Sequence, residues 1–202
     1  MIHKIFAIPV YSTDIEGDTV LNIKNQVLKY IKDYPSHFKE AWSCNTTSNI
    51  LYKGDDKLDL PLLENEIKKH IKEYSKIFEY EDSHTLKFKD VWVNIAPPGA
   101  FQEEHAHTDP YKKVLYSGVY YIKTEENCGN IIFHTELDAH WPQMIKNNLF
   151  HNSSVKAEEG RLVIFPAWLK HRVIINKSQS DRISVSFNIE LLELNPKTNS
   201  ND

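Results

Sequence analysis

The apolar positions of this chain change period near its middle. Over residues 18–34, Val20, Leu21, Ile23, Val27, Leu28 and Ile31 recur at helical spacing among lysines and Asp33. Asp18 or Thr19 stands where a cap belongs, and Pro35 stops the run. A second helix is expected from about Pro61, whose fixed φ suits a first turn, through Leu62, Leu63, Ile67, Ile71, Tyr74 and Phe78. Between the two, residues 42–52 read as a loop with a short strand. Ahead of both, residues 5–11 read as a first strand, too short for the core of a signal peptide.

After residue 86 the helical period gives way to alternation. Residues 87–96 set Val91, Val93 and Ile95 on one face and Trp92 and Asn94 on the other, before Pro97-Pro98-Gly99 breaks the run. Further strands are expected at 114–123, 129–133, 155–157, 160–165, 172–175 and 182–192, making seven or eight. In the last of them Ile183, Val185, Phe187, Ile189 and Leu191 share one face, which should pack on the helices. Arg182, Ser184, Ser186, Asn188 and Glu190 share the other, which faces either a polar cavity or, on an edge strand, open water. A cation on an interior wall is costly without an anion opposite it.

Short strands with turn signals, preceded by helices, predict an all-β core with flanking helices, an α+β chain whose core is a jelly roll with the N-terminal helices packed on one sheet. The expected layout is a single domain over residues 1–202. Residues 1–86 form a mostly helical support, 87–192 the β core and 193–202 a polar tail. Residues 134–154 are polar and irregular, and are expected to form a loop over the mouth of the barrel.

Composition narrows the class. A hydrophobic share of 41% beside 26% charged residues is that of a soluble globular chain. Net charge is −4, from 24 basic and 28 acidic residues with the signs interspersed, so no nucleic-acid partner is expected. No stretch approaches transmembrane length. Only Cys44 and Cys128 are present, without CxxC spacing, which points to a reducing, cytoplasmic setting. The expected partner is a small-molecule or peptide substrate, with no membrane, and a homodimer is left open.

The chemistry gathers in Glu104-His105-Ala106-His107-Thr108-Asp109 and in His171. On an extended segment residues i and i+2 project the same way, so His105 and His107 can share a metal ion, and so can His107 and Asp109. His171, on a distant strand, would complete a facial triad with three coordination positions open. Imidazole and carboxylate suit Fe(II) and also accept Mn, Co or Zn. Alone, a His-x-His pair is more often an exposed hairpin feature, and His171 alone could simply follow its Pro-Ala-Trp turn. Arg182, eleven residues after His171, moves the balance. A strand, a turn at 176–181 and the next strand bring it back alongside, where its guanidinium could grip a carboxylate bidentately with the Ser184 hydroxyl on the same face. Among the other histidines, His134 and His140 stand near the expected mouth. His3, His37, His70, His84 and His151 read as surface residues, and Glu103, Glu104 and Asp138 as solvated charges.

Over residues 88–190 several motifs occur together. They are Trp92-Val-Asn94, Gly99 six residues before His105, Ser117-Gly-Val-Tyr-Tyr121, Phe165-Pro-Ala-Trp-Leu-Lys-His171 and Arg182-Ile-Ser-Val-Ser-Phe-Asn188. In them the chain resembles the 2-oxoglutarate/Fe(II)-dependent oxygenase superfamily, within it the small family having a Ser-Gly-Val-Tyr-Tyr strand and a Phe-Pro-x-x-Leu-x-His turn. The resemblance implies a cupin-like double-stranded β-helix, Fe(II), 2-oxoglutarate as cosubstrate, O2, and hydroxylation of a substrate C–H bond with release of succinate and CO2. Position by position, it implies His105 as first ligand, His171 as distal ligand, and Arg182 with Ser184 for the remote carboxylate of 2-oxoglutarate. Asn94 would bond the cosubstrate or a ligand, with Tyr116, Tyr120 and Tyr121 behind it. His107 is favoured as second ligand, standing where many members of the superfamily have a carboxylate, and Asp109 is the alternative. The rivals are a cupin-like metal-binding barrel without oxygenase activity, serving as a ligand-binding or scaffold protein, and a metal-dependent hydrolase or isomerase on the same barrel.

Overall fold

The computed structural model describes residues 8–47, 60–78, 84–108, 114–134 and 153–193. Among them eleven strands form two sheets, and two α-helices cover the outer face of the larger. The larger sheet is built from β1 (Tyr11–Asp14), β2 (Lys39–Ala41), β3 (Cys44–Thr46), β4 (His84–Ala96), β6 (Val114–Lys123), β9 (Arg161–Pro166) and β11 (Arg182–Glu193), in the order β1-β9-β6-β11-β4-β3-β2. The smaller has the order β5-β10-β7-β8, from β5 (Gln102–His105), β7 (Ile131–Phe133), β8 (Ser153–Val155) and β10 (His171–Val173).

Alternation decides which side of each strand does what. Helices α1 (Asp18–Asp33) and α2 (Pro61–Ser75) bury Ile23, Val27, Leu63, Ile67, Ile71 and Tyr74 against the outer face of the larger sheet. The sheet answers with Val91, Val93, Tyr116, Tyr120, Leu162, Ile164, Val185 and Phe187. Each such fully buried aliphatic or aromatic side chain contributes roughly 1.5–3 kcal/mol. The intervening positions of β4, β6 and β11 therefore face the smaller sheet across the interior. There Arg182, Ser184, Ser186 and Asn188 line a cavity, opposite strand partners Asn94, Trp92 and Asp90. The polar face of β11 is thus an interior wall, and the wet-edge alternative is excluded.

Gly118 shows how tightly the central strands are packed. A Cβ built there would collide with the Phe187 ring and lie 2.5 Å from the Val163 carbonyl oxygen. Gly118→Ala is expected to cost about 1–3 kcal/mol by overpacking, read as a lower Tm in thermal unfolding.

The structure moves several boundaries. Among the described residues the first strand lies at Tyr11–Asp14, with none at 8–10 of the expected 5–11; residues 1–7 are outside the described residues, and it is Tyr11 that takes up register with Ile164. Of the shortest strands, β3 falls within the loop-with-strand expected at 42–52, while β2 and β5 went unread because stretches of three or four residues are too brief to display a period. Strand β8 ends at Val155 instead of starting there, and His171 opens β10 rather than preceding it. Helix α1 is capped by the backbone of Gly17, at φ 71°, in place of Asp18 or Thr19. His37 and His70 are half-buried and bonded to Tyr30 and Tyr11, not free on the surface. Asp109, Asp138, His140 and most of the expected mouth loop lie outside the described residues.

Candidate active site

Strand pairing brings the histidines together. In the smaller sheet His171 is the direct register partner of His105, and just beyond β5 the His107 N–H donates to the Ala167 carbonyl at 2.9 Å, folding His107 back over the same ladder. One ring nitrogen from each of His105, His107 and His171 lies within 4.8 Å of the others.

The far side of each ring is held. His105 Nδ1 stands 2.7 Å from the Glu103 carbonyl oxygen and His171 Nδ1 2.9 Å from that of Leu169. His107 Nδ1 stands 2.9 Å from Asn188 Oδ1, an orientation of the amide fixed by Asn188 Nδ2 donating to Asp90 Oδ2 at 3.2 Å. Three oxygen acceptors require Nδ1 to carry the proton in every ring, leaving each Nε2 lone pair for a metal. Phe165 packs edge-on against His171, Trp92 stacks on His107 and Trp42 on His105. This donor set fits a divalent ion such as Fe(II), with neutral nitrogen ligands and restrained rings.

Burial keeps those rings neutral. Desolvation, reinforced by His105 and opposed by the Asn188 bond, pushes the His107 pKa down to about 4. Desolvation and then His105 push His171 down to about 3. Both values lie below the ordinary 6.5 of an unfolded imidazole. The unfolded chain therefore binds more protons wherever the pH is under about 6.5, and folding stability falls with pH through that window. For the metal-free protein the expected loss is up to about 1.4 kcal/mol per pH unit for each imidazole. Above pH 6.5 the two contribute no slope. Tm at pH 7.5 and pH 5, compared with a His107→Gln, His171→Gln variant that should flatten the dependence, checks this.

Across the cavity, of about 440 Å³, Arg182 is only 3% exposed. Its Nη1 donates to the Cys128 and Gly129 carbonyl oxygens, each at 2.9 Å, and no carboxylate pairs with it among the described residues. A buried guanidinium without a counter-ion calls for an anion in the cavity, and Ser184, also lining it, offers a hydroxyl two residues along. The residues fit a dicarboxylate such as 2-oxoglutarate. Arg182 does not come back beside His171 in one sheet; β10 and β11 belong to different sheets, so the cation faces the histidines across the interior. Asn94 is in the cavity wall, but its amide is engaged, accepting from Thr46 Oγ1 at 2.8 Å and donating to Ser186 Oγ at 3.1 Å. Of the three tyrosines, Tyr121 lines the cavity, its hydroxyl pKa raised by burial to about 12, while Tyr116 and Tyr120 belong to the core beneath the helices.

Sequence reasoning placed Asn188 on the polar face of the last strand but gave it no role, and gave none to Asp90, Trp42 or the Cys128–Gly129 carbonyls. The first two share a side with Trp92 and Arg182 by simple alternation, so the signal was present. Trp42 gave none. It occupies, with Ser43, a two-residue turn between β2 and β3 at φ 50° and 60°, a conformation that favours Asn-Gly and is strained for a bulky residue.

A family model described as "Putative 2OG-Fe(II) oxygenase" matches residues 90–188. No curated protein matches the chain by sequence. Among solved structures, a prolyl-4-hydroxylase from Pseudomonas putida is similar over 91% of this chain and 92% of its own, at 13% identity and a TM-score of 0.60. A prolyl hydroxylase from Trichoplax adhaerens, in complex with a hypoxia inducible factor peptide fragment, is similar over 90% of this chain and 83% of its own, at 11% identity and a TM-score of 0.62. A viral collagen prolyl hydroxylase from Paramecium Bursaria Chlorella virus-1, in its 2OG complex, covers 89% of this chain and 94% of its own, at 15% identity and a TM-score of 0.57. At such identities the likeness is one of fold, the double-stranded β-helix.

Proposed function

We propose that this chain is a 2-oxoglutarate/Fe(II) oxygenase, using Fe(II), 2-oxoglutarate and O2, and that it hydroxylates an organic substrate, releasing succinate and CO2. The observation that carries this reading is the pairing of a three-histidine face with a buried guanidinium, paired with no carboxylate among the described residues, on the opposite wall of one cavity. When bound, Fe(II) with 2-oxoglutarate supplies the coupling of oxidative decarboxylation to oxidation of a C–H bond.

The protein's own part is positioning. His105, His107 and His171 hold the metal through Nε2. Arg182 and Ser184 hold the remote carboxylate of the cosubstrate, with Tyr121 beside them. Trp92, Val173, Ile131 and Phe165 give the cavity apolar walls that limit water. A barrel that only binds metal has no use for the buried cation, so the scaffold reading is the weaker one.

The test is anaerobic addition of Fe(II) and 2-oxoglutarate, with a weak visible charge-transfer band expected, followed by succinate release and product mass across a substrate panel. Prolyl peptides join the panel because three of the similar structures are prolyl hydroxylases. No band from iron-loaded protein would return the chain to the metal-binding barrels. A His107→Ala and Asp109→Ala pair, read by metal content, decides the second ligand, with only the His107 change expected to strip metal.

A further inference from the structure

The facial triad usual for non-haem Fe(II) oxygenases has two histidines and one carboxylate. Here three imidazoles take its place, and three neutral ligands bring no negative charge to the ion. Among the described residues lining the cavity there is one carboxylate, Asp90. It is half-buried and forms no ion pair among the described residues.

Three neighbouring strands set this carboxylate in line with one ligand. Strand β11 runs between β4 and β6, and Asn188 has Asp90 as register partner on one side and Ser117 on the other. Asn188 Nδ2 donates to Asp90 Oδ2 at 3.2 Å. Asn188 Oδ1 accepts from His107 Nδ1 at 2.9 Å and from Ser117 Oγ at 2.7 Å. The other two ligands are treated differently. His105 and His171 each bond a backbone carbonyl two residues earlier, Glu103 and Leu169, which carries no net charge. Among the described residues, only His107, in the middle of the His-x-His-x-Asp run, is tied to a side-chain network that ends in a charge.

We propose that Asp90, acting through Asn188, supplies from outside the ligand shell the negative charge that the three-histidine face lacks, and that both are positioning residues for His107. The amide is polarised by the carboxylate on one side and so accepts more strongly from the imidazole on the other, which makes His107 a better donor to a cation. Ser117 holds the amide against rotation. This rests on His107 being a ligand, as the proposed function has it.

The experiment is a Co(II) titration of the full chain without cosubstrate, following the visible spectrum, with far-UV circular dichroism on each metal-free variant. Asp90→Asn keeps size and the bond from Asn188 while removing the charge, and should weaken Co(II) binding 10- to 100-fold, the usual range for an outer partner of a ligating histidine. The exchange Asp90→Asn with Asn188→Asp returns a carboxylate to the line, one residue closer to His107, and should restore affinity to at least that of the unaltered chain. A role in hydrogen bonding alone predicts the reverse, an unaffected Asp90→Asn and no benefit from the exchange. Unaltered affinity in folded Asp90→Asn overturns the proposal. If Asp90→Asn alone does not fold, the exchange variant decides, and more than a tenfold loss in it overturns the proposal too. His107→Ala separates the levels. Should it bind Co(II) like the unaltered chain, His107 is no ligand and the ligand set of the proposed function fails; should it lose Co(II) while Asp90→Asn does not, only the relay fails.

Discussion

His171→Ala is expected to leave a folded protein that retains no divalent metal after dialysis and turns over no 2-oxoglutarate. His171 is the histidine that ties the two distant parts of the proposed metal site together, being the register partner of His105 at the start of β10. Its Nδ1 is anchored to Leu169 and its ring is packed against Phe165 and Phe133, so the direction of Nε2 is fixed before any ion arrives. Loss of an outer partner of such a histidine typically costs 10–100-fold in metal affinity, and loss of the ligand itself must exceed that. Truncation also opens a void under Phe165, for which a few kcal/mol is the usual order. That cost is partly returned at low pH, because a buried imidazole held near pKa 3 penalises the folded state in acid and alanine does not. Metal analysis beside Tm at pH 7.5 and pH 5 reads both effects. Metal retained at full occupancy would remove His171 from the site and the oxygenase reading with it.

How much of this was legible follows from the length over which each signal is spread. The two helices were plain because six or more apolar residues repeated over four turns, β4 and β11 because alternation ran for ten residues or more, and β6 because Tyr and Val crowd a ten-residue run. From β11 alone the chain declared that Arg182 and Ser184 share a side opposite Ile183, Val185 and Phe187. What alternation could not decide was whether that side was wet. The answer depends on the smaller sheet, whose strands have three or four residues each and show no period at all.

The histidines were legible as a set and not as a geometry. Spacing placed His105 and His107 on one side of an extended segment, but β5 ends at His105, and it is the bond from His107 N–H to Ala167 that turns the second ring inward. Asp90 and Asn188 were overlooked for another reason. Alternation put each on the cavity side of its strand, yet they sit in adjacent strands whose pairing is set by register, which no single segment carries. Trp42 lay beyond any rule, since a Trp-Ser pair is the opposite of what its turn favours.

Arg182→Ala should separate cosubstrate from metal, weakening 2-oxoglutarate binding by about 2–5 kcal/mol, the range for truncating a buried charge-assisted partner, while Co(II) or Fe(II) affinity stays within about threefold. The separation is expected because the guanidinium stands on the larger sheet and, among the described residues, bonds the Cys128 and Gly129 carbonyls and none of the three histidines. Those carbonyls lose a buried donor in the variant, so a drop in Tm accompanies the change, on the order of 1–3 kcal/mol for each one left without a partner. Arg182→Lys keeps the charge and not the paired N–H groups, and should recover part of the binding but not all. Gly129→Ala reaches the same group from outside. Gly129 sits at φ 95°, and a Cβ there would press within 2.8 Å of Arg182 Nη1 and against the Ile174 carbonyl, so the guanidinium must move. Anaerobic titration of 2-oxoglutarate into metal-loaded protein should rank the four as unaltered, then Arg182→Lys and Gly129→Ala, then Arg182→Ala. Parallel losses of metal and cosubstrate in Arg182→Ala would mean the cation holds the fold of the site rather than the carboxylate.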